Sequence, residues 1–160
     1  MDYLKVLKAF PMLAKIDDEA LSVFAGMLRE VRTYAGMNII SEGDDGDEMY
    51  ILVEGTVDII KTTVFGDEFV CATLDADMHA IFGEMALIDK DKRSATVRAK
   101  TECMALAIDN KSFDDFSSRF PKAGVELLKF INMNLVRNLR TENENLNMVY
   151  QALIEEIESC

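Results

Sequence analysis

Two stretches separated by a polar run carry the residue types that a phosphate site needs. They are Phe82-Gly83-Glu84-Met85-Ala86-Leu87-Ile88 and Arg93-Ser94-Ala95-Thr96-Val97. Gly83 lets the backbone approach a ligand closely, because it has no Cβ. The turn that follows presents the free N–H groups of a helix start, which suit an anion. Arg93 adds a permanent charge and a fork of donors for the same anion. Glu84 would repel a phosphate, and its carboxylate is suited to accept hydrogen bonds from hydroxyls. Together they describe a ligand with a phosphate next to a sugar hydroxyl. The competing reading is a structural Glu84–Arg93 salt bridge.

Other chemistries find little support. The one histidine is His79, read as a loop residue, and the three cysteines, Cys71, Cys103 and Cys160, are scattered. No structural zinc set is spaced here, no nucleophile motif surrounds His79, and neither haem nor an iron–sulfur cluster has its ligands. No metal is expected. Carboxylate-based catalysis is the enzyme class these absences leave open, and the chain is read as not an enzyme. The odd cysteine count fits reduced thiols. The formal net charge of −12 opposes binding to bare nucleic acid or to an anionic membrane surface. No apolar run reaches the roughly 18 residues of a membrane helix, and the N-terminus lacks a signal-peptide pattern, so a cytoplasmic location is expected. The ten methionines read as core filler.

The elements that must position the site follow from periodicity. Leu4, Leu7, Lys8 and Phe10 begin a short amphipathic helix that stops at Pro11. Asp17-Asp18-Glu19 opens a second, whose apolar face is Ala20, Leu21, Phe24, Ala25 and Leu28. From Val31 short β-rich runs alternate with Gly and Asp turns, predicting strands at 31–34, 37–41, 49–53, 57–62, 69–74, 94–99 and 103–108. Such strands without intervening helices suggest an antiparallel sandwich, jelly roll or barrel. The stretch from Phe82 to Lys92 breaks this rhythm and fits a single helical turn with a polar exit. Asp109 or Asn110 caps a short helix carrying Phe113 and Phe116, Phe120-Pro121 breaks it, and a long helix runs from about Ala123.

That last helix carries a heptad. Leu139, Leu146 and Leu153 are seven residues apart, as are Val136, Asn143, Tyr150 and Ile157. This is an a/d seam, with Asn143 the polar exception. One reading packs the helix on its own domain. The other is a parallel coiled-coil dimer, in which Asn143 specifies register. Cys160 falls on the next d position.

The cassette closely resembles the phosphate-binding cassette of the cyclic nucleotide-binding domain family, which includes catabolite activator proteins and protein kinase A regulatory subunits. Gly43-Asp44-Asp45-Gly46-Asp47-Glu48-Met49-Tyr50-Ile51-Leu52-Val53-Glu54-Gly55-Thr56-Val57 resembles that family's Gly-rich hairpin. The order of elements agrees over residues 10–145. The resemblance implies a mainly β fold with flanking α: an antiparallel β-roll (double-stranded β-helix, or jelly roll) with N-terminal helices at 1–30, the roll at 31–108 with its cassette at 82–97, and C-terminal helices at 109–160. It also implies that Glu84 takes the ribose 2′-hydroxyl and Arg93 the cyclic phosphate, with backbone N–H groups of Gly83, Met85 and Ala86 around that phosphate. Ser94, followed by Ala95, matches a position touching phosphate or base. The 69–74 strand, which carries Cys71, is the wall against the base. The C-terminal helix supplies base contacts, and Glu142 and Asn143 stand there. Three departures are Lys92, where many members have proline, the stretch Asp77-Met78-His79-Ala80-Ile81, which looks longer than usual, and Glu142 and Asn143, where catabolite activator proteins carry two hydroxyl residues.

The expected function is a sensor that binds cAMP, with cGMP the alternative ligand. It would be homodimeric through the C-terminal helix, relay binding through that helix, and act on an unknown downstream protein. No direct DNA contact is expected, since Glu155, Glu156 and Glu158 are acidic and no helix-turn-helix follows within these residues. The competing classes are a non-binding dimerising scaffold and an enzyme on a cupin-like roll.

Overall fold

The helices start where side chains can satisfy their first N–H groups. In this computed structural model, which describes residues 2–11, 13–89 and 91–158, Asp2 caps α1 (Tyr3–Lys8) and Asp17 caps α2 (Asp18–Met27). Asp17 Oδ1 accepts from the Glu19 N–H at 2.9 Å. α2 buries Ala20, Leu21, Phe24 and Ala25, the face its sequence marks. Of the two cap candidates for α3 (Asn110–Arg119), Asp109 is the cap, accepting from the Ser112 N–H at 2.8 Å. α4 (Pro121–Glu158) begins two residues earlier than its apolar pattern does, with Pro121 in the first turn, where a missing N–H costs nothing.

The strands are β1 (Arg29–Thr33), β2 (Asn38–Ile40), β3 (Glu48–Glu54), β4 (Thr56–Thr62), β5 (Glu68–Asp75), β6 (Ile81–Phe82), β7 (Thr96–Ala99) and β8 (Cys103–Asp109). Among the described residues they form two four-stranded antiparallel sheets, β1-β8-β3-β6 and β2-β7-β4-β5. The fold is mainly β with flanking helices and a long C-terminal helix, as the sequence predicts. β7 starts two residues later than its pattern, because Arg93-Ser94-Ala95 is spent on the cavity described below.

The first sheet is covered on both faces. Tyr50, Leu52, Ala105 and Ala107 point into the roll and meet Val57, Val97 and Ala99 of the second sheet. Their neighbours Met49, Ile51, Leu106 and Ile108 point outward, against Leu21 and Phe24 of α2, Phe113 and Phe116 of α3, and Leu127 and Ile131 of α4. α4 is buried only at its start, through Ala123, Gly124, Leu127 and Ile131. Cys160, the next d position of the heptad, lies outside the described residues. Among the described residues no helix is long and apolar enough to cross a membrane.

Candidate functional site

β6 sets the cassette in place. It has two residues, pairs with β3 through Tyr50↔Phe82 and Ile51↔Ile81, and gave no periodic signal in the sequence. Phe82 stacks on Tyr50 with ring centroids 5.2 Å apart and planes 10° from parallel. Burial and a hydrogen bond to Glu48 push the Tyr50 phenol up to about 12. Gly83 then takes a left-handed conformation, φ 71°, which favours glycine. A Cβ there would stand 2.9 Å from Arg93 Nη1 and 3.0 Å from the Glu48 carbonyl oxygen. A single 3-10 turn, Glu84–Leu87, follows.

Arg93 is fixed from both sides. Its backbone N–H donates to the Asp44 carbonyl and its carbonyl accepts from Gly43 N–H, both at 2.9 Å, which ties the acidic 43–47 loop to it. Its guanidinium lies against the backbone of Gly46, where a Cβ would come within 2.6 Å of Cζ and Nη2. Nη1 donates to the Gly83 carbonyl at 3.3 Å. Glu84 is 6% exposed and accepts a 3.2 Å hydrogen bond on Oε1 from Asn134 Nδ2 of α4. Burial pushes its carboxyl up, and the hydrogen bonds from its own N–H and from Asn134 act against that. Among the described residues neither Glu84 nor Arg93 forms an ion pair. The structural salt bridge considered above is not there.

These groups open onto one cavity of about 390 Å³, the size of a small-molecule site. Gly83, Glu84, Met85, Ala86, Arg93, Ser94, Ala95 and Cys71 all line it. The Ala86 N–H donates to the Gly83 carbonyl at 3.2 Å, closing the 3-10 turn. The Ser94 hydroxyl lies 3.9 Å from Met85 Sδ, and its carbonyl accepts from Lys61 Nζ. Lys92 lines the mouth and pairs with exposed Asp45 at 2.8 Å. Ile59, Ala72 and Leu74 give an apolar wall beside Cys71, whose thiol is pushed up by burial and then by the Glu142 carboxylate. His79 lies outside the lining, packed edge-to-face on Phe10 with ring centroids 4.8 Å apart.

A profile of the cyclic nucleotide-binding domain matches residues 30–120. The chain belongs to that family. It is 32% identical over 114 residues to the "cAMP-dependent protein kinase regulatory subunit" of Schizosaccharomyces pombe, a match covering 71% of this chain and 26% of that protein. It is 27% identical over 132 residues to the "CRP-like cAMP-activated global transcriptional regulator" of Mycobacterium tuberculosis, covering 82% and 56%. The chain thus spans about a quarter of the first and just over half of the second. Among solved structures, a cyclic nucleotide-binding domain from Methylobacillus flagellatus superposes with a TM-score of 0.80 at 21% identity, covering 91% of this chain and 82% of that one.

For a cyclic nucleotide-binding domain, the α4 side of the cavity departs from the sequence reading. Asn143 does not line it. Asn134, Arg137, Asn138, Thr141 and Glu142 do. A helix turns about 100° per residue, so these five form one face, while Asn143 falls on the opposite face with Val136; Leu139 and Leu146 lie on the flank between, Leu146 one turn beyond Glu142. The seam role and the cavity role, offered together for Asn143, are therefore separated in space. The missed residues had a signal: a polar stripe at i, i+3, i+4, i+7 and i+8, away from the apolar one.

Proposed function

We propose that this chain is a cyclic-nucleotide sensor rather than an enzyme, that it takes cAMP, and that it works as a homodimer through α4. The observation that carries the reading is the placement of Glu84 and Arg93 on one cavity with no ion pair between them. In this reading the cyclic phosphate sits at Arg93 and the N–H groups around Gly83. The ribose hydroxyl donates to Glu84. The base lies between the β5 wall and the α4 face that carries Asn138, Thr141 and Glu142. Contacts to both the roll and α4 differ between placements of α4, so binding shifts the equilibrium between them. A regulatory role fits the relatives, whose names are those of a kinase regulatory subunit and a transcriptional regulator.

The dimer reading is supported by the exposed seam. Val136, Leu139, Leu146, Tyr150, Leu153 and Ile157 are all between 48% and 73% exposed in the single chain. Seven-residue spacing makes them an a/d seam for a second copy. The partner that receives the signal is a further protein of unknown identity.

Glu142 favours a second reading of the base, as cGMP. A carboxylate at the base end accepts hydrogen bonds. Adenine offers it one amino group, whereas guanine offers an amino group and an adjacent ring N–H. Calorimetric titration of the chain with cAMP and with cGMP tests both readings. Binding of either at micromolar concentration supports the sensor, and their ratio decides the base. No heat and no thermal shift at millimolar nucleotide would leave only a scaffold.

A further inference from the structure

We propose that Asn134 is a positioning residue that couples the ligand's sugar hydroxyl to α4 by way of the Glu84 carboxylate. This rests on the cyclic-nucleotide reading above. A carboxyl buried as deeply as that of Glu84 needs hydrogen bonds to hold its charge. The cassette supplies one from the residue's own N–H. Among the described residues, Asn134 is the one side chain that donates to it, from Nδ2 to Oε1 at 3.2 Å and from fifty residues away in sequence. An amide donor does two things there. It favours the ionised form, and it fixes the plane of the carboxyl group, so that one oxygen is held and the other can accept from a hydroxyl.

The bond also sits at a telling place on α4. Ile131 is the last fully buried residue of that helix and Leu135 is half-buried. Asn134 is therefore where α4 leaves the core and begins to face the cavity. The other end of the cassette turn is clasped in the same manner, by Asn110 Nδ2 of α3 on the Leu87 carbonyl at 3.1 Å. The turn thus hangs between the two C-terminal helices. A displacement of α4 breaks the Asn134–Glu84 bond and frees the carboxylate plane. By reciprocity, a sugar hydroxyl that prefers the fixed plane favours the placement of α4 that supplies it.

A merely structural Asn134 would satisfy a buried acid and nothing more. The two roles differ in what they do to the 2′-hydroxyl. The test measures the affinity of the full 160-residue chain, with and without Asn134→Ala, for cAMP and for its 2′-deoxy analogue, with thermal unfolding run alongside. A hydrogen bond from a hydroxyl to a charged acceptor makes the wild type prefer cAMP by about tenfold. In Asn134→Ala that preference falls to about twofold or less, as a coupled pair requires. Asn134→Gln, which keeps the donor on a longer stem, recovers part of the preference, and it answers the same question if the alanine variant melts early. Equal weakening towards both ligands, or an unaltered 2′ preference in both variants, overturns the role of Asn134 and leaves the sensor reading standing. A wild-type chain that takes neither nucleotide overturns both.

Discussion

The two ends of the cavity are built in different ways. The end proposed for the phosphate comes from one short run, Gly83 to Ala95, closed by the 43–47 loop through backbone hydrogen bonds to Arg93. The end proposed for the base is assembled from strands β4 and β5 and from a helix more than forty residues further along. At the first end each residue is required by type: a positive-φ glycine, a permanent cation, a buried acceptor. At the second end, what matters is which face a helix presents. Affinity is therefore expected to reside at the first end, and selectivity and output at the second.

The strongest way to break that division is Arg93→Ala. The guanidinium is held by Gly83 and the 43–47 loop and makes no ion pair among the described residues, so its removal leaves the fold largely intact. Loss of a charge-assisted contact to a phosphate, about 1.5–3 kcal/mol per bond with more than one bond made, predicts at least a hundredfold loss of cAMP affinity. Calorimetry measures the affinity, and melting should change by no more than a few degrees. A loss of less than threefold would move the phosphate away from Arg93.

Glu84→Gln is expected to move function and stability in opposite directions. Burial raises the Glu84 carboxyl in the folded protein, so the folded state holds the proton more tightly than the unfolded one. Its contribution to stability is therefore fully present below the ordinary carboxylate range. It is lost as pH rises through the higher folded value. At neutral pH the charged form costs stability, and the glutamine variant should melt higher than the wild type. Below the ordinary carboxylate range the two should melt alike. The same variant should bind cAMP about tenfold more weakly, having lost a charged acceptor for the sugar. A lower melting point at neutral pH would show that Asn134 and the backbone hydrogen bonds outweigh burial.

What the sequence could and could not show follows the same division. The cassette was legible because its residues are contiguous and its chemistry constrains their types. The α4 contacts were legible only as a polar stripe away from the apolar seam, since which face meets the cavity depends on how a helix is rotated against a roll formed far away in sequence. Asn143 illustrates this. Its type suited the base and its spacing suited the seam, and only the packing of Leu127 and Ile131 fixes the rotation that gives it to the seam face. β6 was missed because two residues cannot display a period, and its pairing with β3 is a tertiary fact. The Asn134–Glu84 bond has no local signal at all.

A smaller effect should sharpen the base end. Glu142 stands on an exposed stretch of α4, where a charged contact is worth about 1 kcal/mol or less. Glu142→Gln keeps the shape and removes the charge. The expected outcome is a change of up to about fivefold in the ratio of cAMP to cGMP affinity, with the sum of the two little altered. An unchanged ratio would assign base selection to Asn138 and Thr141 instead.

The smallest change in affinity is expected from the seam of the same helix. Leu146→Glu with Leu153→Glu places charges at two d positions, neither of which lines the cavity. Each leucine is about half exposed in the single chain, and burying one fully is worth about 1.5–3 kcal/mol. In a symmetric dimer the pair of substitutions acts in both copies and sets like charges against each other, which a seam this short cannot absorb. Sedimentation should show a dimer for the wild type and a monomer for the variant. Affinity for cAMP should stay within about twofold, because neither leucine lines the cavity and the nearer one, Leu146, stands a full turn beyond Glu142. If the variant stays dimeric, the seam is not the interface. If it becomes monomeric and also loses nucleotide, the two faces of α4 are not independent, and the base end is completed across the dimer.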